Sequence, residues 1–150
     1  LAAEVELEET AGGRLQRARG LIATHPEEAL AWTVLGEALE ELSPPPDDAA
    51  ALLRKGLEVA PRVAVLWRGK ARVDARAGRL QEALAASDRS VALAPRDLQA
   101  VYLRAQLLAF SGRCAEAARE RELARAIASE TGGGKAAASL PPLAPCQPRG

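Results

Sequence analysis

The amino-acid sequence predicts an all-α protein, on three observations. Ala and Leu supply 34 and 22 of the 150 residues, and both lose little side-chain freedom on entering a helix. Aromatic residues make up only 3% of the chain and Val and Ile are few, so the residues that favour strands are scarce. Pro26, Pro61 and Pro95 each follow a helix-like stretch and are almost evenly spaced, at a period that accommodates one helical hairpin.

A length of 150 residues with 48% hydrophobic content supports one domain with a core of its own and leaves little for a second. Twenty bases balance twenty acids, which argues against a general nucleic-acid or membrane-surface binder. Arg, Glu, Gly or Pro interrupts every apolar stretch before it reaches the roughly 18 residues of a membrane-spanning helix. The chain contains no Met, so Leu1 is expected to be a processed or excised terminus. A signal peptide already removed and a piece of something longer remain alternatives.

Taken in order, residues 1–26 read as a partial hairpin. Leu1, Ala2 and Val5 fall where a first helix carries its apolar and small residues, Gly12-Gly13 is the expected turn, and residues 14–24 are the expected second helix. Residues 29–61 form the first full unit, with Ala31, Trp32, Leu35, Gly36 and Leu39 before a turn, and Ala49, Leu53, Gly56 and Leu57 after it. That turn is Ser43-Pro44-Pro45-Pro46-Asp47; proline cannot continue a helix, and Asp47 or Asp48 is expected to cap the next one. Residues 64–95 repeat the pattern with Leu66-Trp67, Ala71, the run from Gly78 to Ala83, and Ser90-Val91. Residues 98–129 do so with Val101, Ala105, Leu108, the run from Gly112 to Ala117, and Ala124. Residues 131–150, with Gly132 to Gly134 and four prolines, read as a Gly/Ala/Pro-rich linker or arm that cannot form a regular helix.

These units, over residues 29–129, resemble the tetratricopeptide repeat, a helix-turn-helix family with a period of about 34 residues. Close antiparallel packing needs small side chains where the helices cross. The crossing positions are Gly36, Ala49 and Gly56, then Ala71, Ala83 and Ser90, then Ala105, Ala117 and Ala124, and all nine are small; at Arg14 in the partial unit the rule fails. Lys70 and Arg104 stand where the first unit has Leu35, and Asp74 stands where an aromatic is common. The two long cations are expected to lay their stems on apolar surface and keep their charges in water. The resemblance implies a short right-handed α-solenoid spanning residues 1–130: about three hairpins, a partial N-terminal one, and the extended C-terminal arm.

Candidate chemistry is sparse. The one histidine, His25, precedes the helix-boundary Pro26 and reads as a solvated position between helices. Gly132-Gly133-Gly134-Lys135 fails as a phosphate loop, because Ser129 replaces its first glycine, Ala136 replaces the magnesium-binding hydroxyl, and no strand precedes it. Trp32 and Trp67 occupy equivalent places and are expected in the hairpin cores. Cys114 and Cys146 stand far apart in the chain and lack metal or redox spacing. A disulfide between them would pin the arm and imply an oxidising compartment, which tilts the expected location slightly toward the periplasm; two free thiols are the alternative. No catalytic residue, cofactor or metal site is predicted.

Charge is distributed unevenly. Residues 1–61 hold five bases and twelve acids, and the rest of the chain carries the compensating excess of seven positive charges. In the family, the second, fifth, ninth and twelfth or thirteenth positions of each first helix line the binding groove. By resemblance these are Leu30, Thr33, Glu37, Glu40 and Glu41, then Val65, Arg68, Arg72, Ala75 and Arg76, then Gln99, Tyr102, Gln106, Ala109 and Phe110. Arg68, Arg72 and Arg76 are spaced four apart and so share one helical face. They read either as a grip on a partner's carboxylates or as a solvated face balanced by neighbouring acids. Thr33 and Glu37 do not match the Lys and Asn clamp of the family's chaperone-binding members.

The predicted function is therefore a non-enzymatic interaction module for a protein or peptide segment, an accessory or assembly subunit of a larger hetero-complex. Its Ala, Arg and Leu usage resembles that of GC-rich bacterial genomes. A transient peptide-binding adaptor, or the docking domain of an enzyme whose catalytic part lies elsewhere, are the alternatives.

Overall fold

In the computed structural model, residues 10–132 and 145–148 are described; the expected first helix of the partial N-terminal unit and most of the expected arm lie outside them. The described residues form seven α-helices and no strand: α1 Ala11–Thr24, α2 Ala29–Glu41, α3 Ala49–Val59, α4 Ala64–Arg76, α5 Leu80–Leu93, α6 Leu98–Phe110 and α7 Cys114–Gly132. The chain divides into two compact units, Leu1–Leu66 and Trp67–Gly150, with the boundary inside α4.

In the first unit, α1 starts at Thr10, whose hydroxyl accepts from the Gly13 amide at 3.0 Å. Gly12 and Gly13 thus belong to the first helical turn and not, as the spacing suggests, to a turn before it. The side-chain cap supplies the start that the glycines alone would not. Neighbouring helices pack, α1 on α2 and α2 on α3. The inner face of α2 is broad, with Ala31, Trp32, Leu35, Gly36, Ala38 and Leu39 all buried, the spacing of an apolar helical stripe. Trp32 is fully buried and its indole N–H donates to the Pro26 carbonyl at 2.8 Å.

Two glycines set how closely this unit packs. A Cβ on Gly56 would lie 2.8 Å from Cε3 of Trp32 and 3.2 Å from Cδ1 of Leu66. A Cβ on Gly36 would lie 2.8 Å from Cγ1 of Val65. Asp48 does occupy the cap position of α3, but its side chain makes no capping bond. Arg19 takes the carboxylate in a fork, at 2.7 and 2.8 Å, which ties α1 to the start of α3 and holds the Asp48 carboxyl below its usual range through that hydrogen bond. Arg14 pairs with Glu41, joining α1 to α2.

In the second unit, α5 packs on α6 and α6 on α7. Ala71, Ala83, Leu84, Leu103, Leu107, Leu108 and Ala117 belong to one buried cluster, with Trp67, Ala75 and Leu80 half-buried against it. Val101, Ala124 and Ile127 form another, flanked by Val91 and Leu98. Over both units, all nine small crossing residues are buried.

Two of the interhelical turns of this unit, α4–α5 and α6–α7, are built alike. Gly78 and Gly112 both have positive φ, 79° and 76°, the left-handed conformation in which glycine escapes the Cβ penalty. The amide of Arg79 donates to the Asp74 carbonyl and that of Gly78 to the Ala75 carbonyl; at the equivalent place in the next hairpin, Arg113 donates to Leu108 and Gly112 to Ala109. Each pair satisfies the last carbonyls of its helix in a Schellman motif.

The charges of Lys70 and Arg104 are both paired. The Lys70 ammonium donates to Asp74 at 2.5 Å, and the Arg104 guanidinium bonds Asp88 of α5 at 2.6 Å and Glu120 of α7 at 2.8 Å. For Asp74 the pairing satisfies a carboxylate that burial would otherwise leave without water. Asp74, with 7% of its side chain exposed, also accepts two bonds from Arg79 at 3.1 and 2.8 Å. Burial pushes the Asp74 carboxyl up, but the bonds from Lys70 and Arg79 and their charges outweigh it and hold the group below the usual carboxylate range.

At the far end of the unit, the sulfurs of Cys114 and Cys146 stand 2.06 Å apart, bonding distance. Cys114 opens α7, so this link fastens residues 145–148 to the start of that helix. Pro145 and Cys146 close over Ala109, Ala117 and Ala118, around a small cavity of about 160 Å³.

Candidate partner-binding groove

The residues singled out in the sequence have different fates. In the first unit, Thr33 is half-buried and its hydroxyl donates to the Ala29 carbonyl one turn back, at 2.9 Å. Glu37 is exposed, Glu40 is half-buried, and Glu41 is held by Arg14. Leu30 stands 70% exposed at the beginning of the same helix.

In the second unit, the arginine row splits. Arg68 has 12% of its side chain exposed and pairs with Asp97, the residue whose carboxylate also caps α6 by accepting from the Gln99 amide at 3.1 Å. Arg68 is thus a packing residue that ties α4 to the start of α6. Arg72 and Arg76, one and two turns further on, line a groove of about 630 Å³ together with Ala75, Gly78, Leu80, Leu103, Gln106, Leu107 and Phe110. Gln99 and Tyr102 lie outside that lining. Gln99 is exposed and Tyr102 is buried, and burial pushes the Tyr102 phenol above its ordinary value.

Each wall of the groove has a local cause. Leu103 and Leu107 are one turn apart on α6 and form the floor, continuous with the buried cluster of this unit. Phe110, the last residue of α6, also lines the groove and is 60% exposed. Gly78 at the opposite turn leaves open space where a side chain would stand. Arg76 lies in the last turn of α4, where a cation faces the negative end of the helix dipole; it is exposed and has no carboxylate partner among the described residues.

The groove therefore offers an apolar floor, an exposed aromatic ring, the Gln106 amide, and guanidinium groups at the rim. That combination is chemically suited to a segment carrying carboxylates beside apolar side chains, since guanidinium grips a carboxylate in a fork. Arg72, Arg76, Ala75, Gln106 and Phe110 are among the groove positions that the family resemblance implies. Leu80, Leu103 and Leu107, which also line it, are not among those positions.

His25 and Trp67 are not among the residues that line the groove. His25 is exposed at the end of α1. Trp67 is half-buried against the core with the Arg89 guanidinium 5.3 Å from its ring centre, a cation–π contact. Among the described residues no group of three His, Cys, Asp or Glu converges to hold a metal, and no helix is long and apolar enough to cross a membrane. A scan against protein-family models matches none to this chain, and no curated protein matches it.

Proposed function

We propose that this chain is a tetratricopeptide-like interaction module with no catalytic role of its own, an accessory or assembly subunit of a larger bacterial complex. In this reading its helix pairs stack as a short right-handed solenoid, and the groove of the second unit receives an acidic, partly apolar segment of a protein partner. What supports the repeat assignment is periodicity on several levels. The helix pairs begin at Ala29, Ala64 and Leu98, the nine small crossing residues are buried, and the two Schellman turns recur one period apart.

The observation that carries the function is the groove itself, apolar at its floor and lined at its rim by Arg72 and Arg76. Recognition of this kind takes its energy from a few anchors in a desolvated pocket, with aromatic and arginine side chains prominent among them. A photo-crosslinking amino acid placed at Phe110, in the organism that makes the protein, tests the reading. The expected result is a conjugate with another polypeptide that disappears when Arg76→Glu is added. No conjugate, or one indifferent to Arg76→Glu, overturns it.

A disulfide between Cys114 and Cys146 would imply an oxidising compartment, with the periplasm the reading favoured here. Protein alkylated before any reduction should gain no label on either cysteine; labelling of both would place the chain in a reducing compartment.

A further inference from the structure

We infer that the occupant of this groove is residues 1–9 of a second copy of the same chain. The inference rests on the groove reading above and names its partner. The required ligand carries carboxylates for the guanidinium groups of the rim and small branched apolar side chains for the floor of Leu103 and Leu107. Residues 4–9 read Glu-Val-Glu-Leu-Glu-Glu, with Val5 and Leu7 between Glu4, Glu6 and Glu8. No other window of six residues in the sequence holds four carboxylates, and no base follows before Arg14. Of the eight other acids among residues 1–66, Glu37, Glu40, Glu41 and Glu58 stand on helices of the first unit, and Glu41 and Asp48 are already held by Arg14 and Arg19.

Charge complementarity extends beyond the groove. Residues 67–150 hold fourteen bases against eight acids, while residues 1–66 hold six bases against twelve. Each copy thus brings one acidic segment and one cationic groove, two different surfaces. Such a contact is heterologous, so it joins copies head to tail and ends only where a ring closes. The attraction between exposed charges is screened by salt beyond about 8 Å at physiological ionic strength, so the assembly should dissociate as salt rises.

Two full-length variants and their mixture test this by sedimentation. One carries Glu6→Lys and Glu8→Lys and keeps the native groove. The other carries Arg76→Glu and keeps the native segment. The parent chain should self-associate at low salt, and each variant alone should do so about tenfold more weakly, the loss of one good ionic contact. An equimolar mixture should recover association, because the native segment of one variant meets the native groove of the other. A misfolded variant could not give that recovery. A parent chain that stays monomeric at low salt, or a mixture no more associated than its components, overturns the inference. The Phe110 crosslink then decides separately whether the groove serves another partner.

Discussion

At Gly56 a single hydrogen atom decides how near two helices come. Alanine is the better helix former by about 1 kcal/mol, yet its methyl would stand 2.8 Å from the ring of the fully buried Trp32. Overfilling a close-packed core costs about 1–3 kcal/mol, and a rigid ring gives way less easily than a flexible chain end. Gly56→Ala is therefore expected to lower the urea midpoint, and a rise would mean that the helices can part without penalty. Asp74 makes the opposite kind of demand. Its lowered pKa in the fold means that its contribution to stability is present above the ordinary carboxylate range and is lost as pH falls through the lowered value. Asp74→Asn should cost about 1–3 kcal/mol near neutrality, the worth of hydrogen bonds to charged groups. The gap to the parent should close in acid, and denaturation at several pH values measures it. A gap that does not change with pH would mean that the ionised carboxylate contributes nothing. The two residues differ in legibility. Gly56 stands out in the sequence because bulk is missing at a spacing that recurs. Asp74 reads only as an acid in an odd place, since its partner Arg79 becomes a neighbour only when the chain reverses at Gly78.

At the scale of elements, the helices of the second unit are readable because glycine and proline punctuate them. Gly78 and Gly112 each terminate a helix by adopting a conformation that costs other residues about 1–2 kcal/mol. The first unit departs from this device, and there the reading of its turns and caps is less complete. Its α2–α3 turn uses three prolines, and the expected Asp48 cap is diverted because Arg19 of α1 takes the carboxylate. Capping rules weigh local partners and cannot anticipate one supplied by another helix. The start of α1 is displaced for a related reason: Thr10 caps the helix and draws Gly12 and Gly13 into it. The Cys114–Cys146 link belongs to this scale as well, since it joins residues 145–148 to the first turn of α7. In the loop-entropy model, closing a segment of that length stabilises the fold by about 3–4 kcal/mol. Reduction and alkylation should lower the denaturant midpoint accordingly, and an unchanged midpoint would show that the link constrains nothing that unfolds.

For the molecule as a whole, neutrality conceals two populations of charge, acidic toward the N-terminus and basic beyond it. That division, the helix pairs and half of the groove are legible in the residue pattern. What the pattern leaves hidden is which member of the arginine row is spent on folding, because the partner of Arg68 is Asp97, distant in sequence and set at the start of the next hairpin. The distinction has a measurable consequence. Arg68→Ala should lower stability by about 1–3 kcal/mol, since it leaves Asp97 without its charged partner. Arg76→Ala should leave stability within about 0.5 kcal/mol, as at other exposed positions, while weakening association and flattening its salt dependence. Matching denaturation and binding series separate the two roles, and equal effects from both substitutions would erase the distinction.

The most direct measurement is a backbone amide chemical-shift map of the full-length protein, titrated with a peptide of residues 1–10. Shifts are expected to gather at Arg72, Ala75, Arg76, Gly78, Leu103, Gln106 and Phe110, and to be suppressed by salt and by Arg76→Glu. Shifts confined to other surfaces of the second unit, or none at all, would contradict the claim that this groove takes the acidic, partly apolar segment of residues 1–9.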